Sequence, residues 1–313
     1  MSVVTGSSLS SMPSPSVKSR SVLSEWPTFI VWAGHYAGFG ILTFFWDKIS
    51  PWIAIPLAAY LICLNAHLTH ELIHGHPFRN RHANRWLLPI NLLAWIPYEV
   101  FRDSHLAHHE SDSLTHPSRD PESFYWSQQE WDAMHPFWRA VYRFNQTFAG
   151  RMLVGPALIV GRFWRDEVQR VWGGDFRYVP AWTILALGNA VVAYWLFVIC
   201  QVPVWQVMLA LYAGSSLMAL RSFIEHRPSE ANDASCAIVD AGPVFQLLFL
   251  NNCYHLIHHD RPGLSWFEIP RVYRGNREEW NHRAGGYVFR GYWDVVRRTA
   301  FAPKDSPRHP TVA

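Results

Sequence analysis

The chain is poor in charge. Asp, Glu, Lys and Arg make up 16% of its 313 residues, against roughly a quarter in ordinary soluble domains. A net charge of +3 is too small to favour a nucleic-acid partner. Cysteine is scarce as well. Cys63, Cys200, Cys236 and Cys253 form no CxxC pair, which argues against a disulfide framework and a thiolate zinc site. No short apolar run near the start makes a secretory signal. No GxGxxG follows a strand, so no flavin or nicotinamide domain is evident. The chain shows no repeat of fixed period. Its first 24 residues hold ten serines, two basic residues and no acidic ones. That composition predicts a disordered tail over residues 1–25, and two basic residues are few for a transit peptide.

What is abundant is apolar: half the residues are hydrophobic and 17 are Trp. Residues 26–46, 49–70 and 178–220 contain no Asp, Glu, Lys or Arg. A bilayer-crossing helix needs about 20 apolar residues. The pattern predicts an all-α membrane protein with four spans in two hairpins, near 26–46, 51–70, 179–200 and 203–223. The second hairpin turns at Gln201-Val202-Pro203. Of 27 Lys and Arg, Lys48 alone falls in a hairpin turn. Basic residues favour the cytoplasmic side, so both termini and the segment between the hairpins are expected there, as a helical cap. Two shorter apolar runs, Trp86–Tyr98 and Met152–Gly161, predict helices in the membrane interface or under the cap.

Three histidine clusters stand out: His70 with His74, His105 with His108 and His109, and His255 with His258 and His259. Spacings of three and four put each cluster on one helix face. The topology drawn from charge brings all three to the same side of the membrane. Eight imidazoles exceed the four ligands of one zinc, so two metals with about four histidines each fit better. His226, directly after the fourth span, is a ninth candidate. Carboxylates are few near the clusters, unlike the Glu-rich di-iron sites of soluble bundles. His35, His67, His76, His82, His116, His135, His282 and His309 lack the pattern and are expected to be structural or at the surface. His67, one turn before His70, is the nearest to an exception. The string His70-Glu71-Leu72-Ile73-His74 also matches the HExxH zinc-protease signature. That reading leaves the two HxxHH clusters unexplained.

HxxxH, HxxHH and HxxHH in this order, with this placement of spans, resemble the membrane fatty acid desaturase superfamily, which includes acyl desaturases, hydroxylases and carotenoid ketolases. The resemblance covers roughly residues 26–285, within a domain of about 26–300 that a C-terminal tail, 301–313, follows. Asn252-Cys253-Tyr254-His255 is close to the family's third box, and Pro262 to the proline that follows it. Asp120-Pro121-Glu122 resembles an acidic segment after the second box. Asp260-Arg261 departs from the usual apolar pair, and Ser222 stands where some members carry a metal-reaching asparagine. The resemblance implies two irons held by His70, His74, His105, His108, His109, His226, His255, His258 and His259. Glu71, Asp120, Ser222 and Asn252 would stand behind them. It implies dioxygen as co-substrate and an unactivated C–H bond of a lipid as target, a fatty acyl desaturase first, a hydroxylase or carotenoid oxygenase second. Electrons would come from a separate ferredoxin, rubredoxin or cytochrome b5, since no HPGG signature is present. The Arg-rich stretches 271–283 and 290–298 are candidate docking charges for it or for anionic lipid. A zinc protease and a non-catalytic metal carrier are the rival readings.

Overall fold

The computed structural model describes residues 25–88 and 90–312. The chain is mostly helical. In order come α1 (Trp26–Phe44), α2 (Pro51–Ile73), α3 (Arg81–Leu87), α4 (Tyr98–His109), α5 (Gln128–Ala133), α6 (Pro136–Asn145), α7 (Phe148–Leu153) and α8 (Gly155–Trp172). Then follow α9 (Val179–Ala193), α10 (Val204–Glu225), α11 (Asn232–Ser235), α12 (Pro243–Leu248), α13 (His255–Asp260), α14 (Ile269–Gly275), α15 (Arg277–Arg283) and α16 (Tyr292–Thr299). Two short strands, β1 (Ile238–Val239) and β2 (Val288–Phe289), pair in parallel with Ile238 opposite Val288.

Among the described residues, three helices are long and apolar enough to cross a membrane. They are α2 with 23 residues, Val179–Ile199 with 21 and α10 with 22. The second joins α9 to a π-helical continuation, Tyr194–Ile199. α1, with 19 residues, is uncharged, but His35, Tyr36 and its glycines dilute its apolar character, and it is not among the three. The break before α10 falls at Gln201–Pro203, where Gln201 takes a left-handed φ of 52°. Pro51 starts α2 because the first helical position needs no N–H partner.

α2 and α10 form the spine. A Cβ on Gly214 of α10 would stand 2.7 Å from Ile62 Cγ2 and 3.0 Å from the Ala59 carbonyl of α2, so glycine is what lets the two backbones close up. Every residue of α2 from Ile62 to Ile73 is buried. Val179–Ile199 is the opposite, with 11% of its apolar window buried, so it runs along the outside. Around the upper ends of α2 and α10 the later segments build a core in which Phe249, Leu248, Ile257, Ile238 and Tyr273 are at most 1% exposed. Each such side chain stabilises the fold by roughly 1.5–3 kcal/mol.

Three expectations need correction. Trp86–Tyr98 is not one helix. Its middle is irregular, with Ala94 at φ 63° and the Asn91 side chain bridging Leu93 N–H (3.0 Å) and the Ile96 carbonyl (2.8 Å). Two prolines, Pro89 and Pro97, interrupt the run in the sequence and disfavour helix before them. Met152–Gly161 is split between α7 and α8, and Ser216 Oγ of α10 donates to the Met152 carbonyl at 2.8 Å. Glu25 does not belong to a tail. It is 3% exposed and accepts from Thr28 Oγ1 at 2.9 Å, with His76 Nδ1 at 3.1 Å. The rest of the Ser-rich tail lies outside the described residues. At the other end, the C-terminal tail is tied to the 126–128 segment. Trp126 pairs with Arg308 in a parallel bridge, and His309 N–H donates to the Trp126 carbonyl at 2.8 Å.

Candidate metal centre

The ends of four segments bring the nine histidines together. α2 carries His70 in its last turn and His74 as its C-cap. The last turn of α4 carries His108 and His109, and His105 lies one turn earlier. α13 carries His255, His258 and His259. His226 follows α10 in extended backbone, bridged to Cys236.

The imidazoles sort into two sets. In the first, His70, His74, His105, His109 and His258 each present one nitrogen, all within 4.8 Å of one another. In the second, His108, His226, His255 and His259 do the same. The sets lie side by side: the His109 and His259 rings stack across them at 4.2 Å and 21°. His74, His109, His226 and His259 are half-buried, and the other five are buried.

The donor set fits metal ions. In the first set His105 Nε2 lies 2.9 Å from His74 Nε2 and 3.1 Å from His109 Nε2, which lies 3.0 Å from His258 Nε2. In the second, His226 Nε2 lies 3.1 Å from His108 Nε2 and 2.9 Å from His255 Nε2. Metal–nitrogen bonds of about 2.1 Å place neighbouring nitrogens about 3.0 Å apart at right angles and about 3.4 Å apart at tetrahedral angles. The observed spacing matches the former. The Nδ1 atoms of His105 and His255 face outward acceptors, which turns their Nε2 lone pairs towards the neighbouring rings, where a cation would find them.

Those outward partners are mostly carboxylates. His108 Nδ1 is 2.7 Å from Asp120 Oδ1, and His105 Nδ1 is 3.1 Å from Glu122 Oε1. His255 Nδ1 is 2.9 Å from Asn252 Oδ1 and 3.2 Å from Glu225 Oε1. Arg221 Nε lies 2.7 Å from the same Glu225 oxygen. His70 Nδ1 is 3.5 Å from Glu71 Oε1, and its Nε2 is 3.2 Å from the Asn252 amide nitrogen. Such partners fix the tautomer and raise the basicity of an imidazole ligand.

Protonation is disfavoured across the site. Burial, then the neighbouring imidazoles, hold His74, His226, His255, His258 and His259 well below the usual histidine range, and push His109 down to about 2. His108 goes the other way. Burial opposes its protonation, but the Glu122 and Asp120 carboxylates outweigh it. Burial would raise Glu122, yet His105 and His108 hold it well below the usual carboxylate range.

The fatty acid desaturase family model matches residues 48–291. The chain belongs to the fatty acid desaturase family. No curated protein matches it. As a family member it is an enzyme of the desaturase-like oxygenase type, with histidine clusters for metal and apolar helices for a membrane. All nine histidines lie inside the matched region, and residues 292–313 lie beyond it.

For this desaturase-family chain, the structure also shows which sequence candidates stand apart. Ser222 does not reach the rings. Its hydroxyl accepts from Arg151 at 2.9 Å and donates to the Ala219 carbonyl at 3.2 Å. His67 turns away, with Nδ1 on the Cys63 carbonyl at 2.8 Å. His35 bonds Asn65 at 3.1 Å, and His309 bonds Thr115 at 3.2 Å. Sequence reasoning gave Glu225 and Arg221 no role, and it quoted Glu122 within the Asp120–Glu122 segment while giving a supporting role to Asp120 alone. The signal was present: Glu225 directly precedes His226, and Glu122 is two residues after Asp120. The Arg-rich surface is also less positive than its sequence implies. Arg277 pairs with Asp240, Arg283 with Asp233 and Asp260, and Arg297 and Arg298 with Asp294.

Proposed function

We propose that this protein is a membrane di-iron, dioxygen-dependent oxidoreductase acting on unactivated C–H bonds of a lipid, most specifically a fatty acyl desaturase. The observation that carries the reading is the convergence of nine imidazoles into adjacent sets of five and four. His70, His74, His105, His109 and His258 would hold one iron; His108, His226, His255 and His259 would hold the other. Aliphatic C–H bonds offer no acidic proton, so side chains alone cannot cleave them, and bound iron would supply the redox chemistry with dioxygen. The overall balance is R–CH2–CH2–R′ + O2 + 2 e⁻ + 2 H⁺ → R–CH=CH–R′ + 2 H2O. Hydroxylation of the same substrate class is the runner-up.

A cavity of about 360 Å³ beside His70 is the proposed substrate chamber. Trp95, Phe101, Phe163 and Met218 give it apolar walls that exclude water, and Glu225 and Arg221 line it on the histidine side. Its chemical role is to hold one methylene of the chain near the paired sets. A zinc protease built on His70, Glu71 and His74 would leave seven of the nine histidines without a role. We assign α1 as a fourth span, in two hairpins that leave both termini and the site cytoplasmic. An external ferredoxin, rubredoxin or cytochrome b5 would deliver electrons on the side where His74, His109 and His259 are half-exposed.

The experiment pairs metal analysis with lipid analysis. Purified protein should hold two irons per chain. Cells expressing it should gain an unsaturated or hydroxylated lipid that cells expressing His108→Ala lack. One zinc per chain with an unchanged lipid profile would overturn the proposal.

A further inference from the structure

Residues 292–312 lie beyond the family match, yet they are built into the molecule. After α16 the chain runs back across the cap as a strap. Lys304 N–H donates to the Gln146 carbonyl at 2.7 Å, while Trp126 and Gln128 donate to the Pro307 and Val312 carbonyls, both at 3.0 Å.

At the start of this strap Lys304 turns inward, its side chain 5% exposed. An ammonium group has three N–H donors. Here they meet three acceptors: the Asp305 carboxylate, the Tyr125 hydroxyl at 3.2 Å and the His226 carbonyl at 2.8 Å. The rings of Tyr125, Phe223 and Tyr287 surround the cation at 5.9, 5.7 and 5.7 Å. A buried ammonium is costly unless it is paired in this way, so the arrangement is specific.

His226 is the histidine that needs such a tie. Alone among the nine it has extended backbone, at φ −129° and ψ 146°, so no helical turn orients it. Its carbonyl accepts from Lys304 at 2.8 Å, and the Tyr125 hydroxyl beside it, 3.4 Å away, donates to Asp305 at 2.8 Å. His226 and Lys304 also border one small cavity of about 40 Å³, together with Glu122, Ser222 and Glu225.

We propose that the C-terminal strap, through Lys304, positions His226 and thereby secures the metal of the four-histidine set. This rests on the ligand reading given under Proposed function. Lys304 is a positioning residue; it reaches His226 through the backbone carbonyl and does not line the substrate chamber. The strap sets how firmly one ion is held and leaves the five-histidine set independent of it.

The test uses the full chain in lipid nanodiscs, stripped of metal and loaded with cobalt(II). Ion content and the release of each ion to a chelator are followed. Lys304→Met is expected to release one of the two ions about tenfold faster than wild type, a typical effect of removing a supporting contact, with the other ion unchanged. Lys304→Arg keeps a cationic donor for the His226 carbonyl and should release that ion more slowly than Lys304→Met. If the methionine variant does not fold, Asp305→Ala, which strips the lysine of its carboxylate, carries the same expectation. Faster release of both ions together, or of neither, overturns the proposal. The wild type separates the two levels of the argument. Two ions in the wild type with an unaffected variant defeat the strap alone, whereas fewer than two in the wild type defeat the site reading and the strap with it.

Discussion

Asp120→Asn removes one negative charge and almost no volume. Asp120 is 2% exposed and uses both oxygens. Oδ1 accepts from His108 Nδ1 at 2.7 Å and from Glu122 N–H at 2.9 Å, and Oδ2 accepts from Thr115 N–H at 2.8 Å. An asparagine offers one oxygen and one NH2, so whichever way it turns, a donor faces a donor. A charge-assisted hydrogen bond contributes about 1.5–3 kcal/mol. Loss of a carboxylate behind a metal-bound imidazole typically costs about 10–100-fold in metal affinity, which at about 1.4 kcal/mol per decade is the same range. The effect should be local. His108 belongs to the four-histidine set, so one of two metal affinities should fall by that factor while the other holds. Competition titration against a chelator of known affinity reads both. Glu122→Gln, acting through His105 at 3.1 Å, should weaken the five-histidine set instead. If Asp120→Asn lowers both affinities equally, or changes neither, the assignment of His108 to its own metal is refuted.

Metal-free protein should lose stability in acid. His74, His226, His255, His258 and His259 have folded pKa values depressed by burial, and His109 sits near 2. The unfolded chain, at about 6.5, takes up protons first. Stability is therefore full above about 6.5 and falls as pH drops from there towards the folded values. His108, shifted upward, offsets part of the fall. Melting midpoints at pH 8, 7, 6 and 5 check this, and a flat profile rejects it. Gly214→Val should force α2 and α10 apart, because even a Cβ meets Ile62 at 2.7 Å. Overpacking of this kind costs about 1–3 kcal/mol, seen as a lower melting temperature. Met218→Trp should fill part of the 360 Å³ chamber. It is expected to cut turnover of long acyl chains at least tenfold with both metals retained, and unchanged turnover would move the substrate elsewhere.

The three long apolar helices and the histidine clusters were legible for the same reason: each is a local pattern that matches the element that carries it. Residues 51–70 predicted α2 because nothing charged interrupts them, and Gln201–Pro203 marked a break because a proline there suits a turn. HxxHH reads as one helix face at any position. What stayed hidden depends on contacts far apart in sequence. Trp86–Tyr98 looks like an apolar helix, yet the backbone follows Asn91, whose amide replaces helical hydrogen bonds with its own. Lys304 reads as tail charge, and nothing near it in sequence announces that its ammonium ends on the His226 carbonyl, 78 residues away.

The carboxylates carry the same lesson into the chemistry. Read as a string, the clusters look too poor in acid to offset metal charge. The fold sets four carboxylates beside imidazole Nδ1 atoms: Glu71 at His70, Glu122 at His105, Asp120 at His108 and Glu225 at His255. Each carboxyl group faces the Nδ1 side of a ring, so the acid stands behind the imidazoles rather than among the metal-facing nitrogens. Arg221 draws part of Glu225's charge away, at 2.7 Å. The histidines can therefore be the whole contact set while the acids set the charge of the site. The two jobs fall on different residues, so acid variants should tune affinity, whereas histidine variants should abolish occupancy.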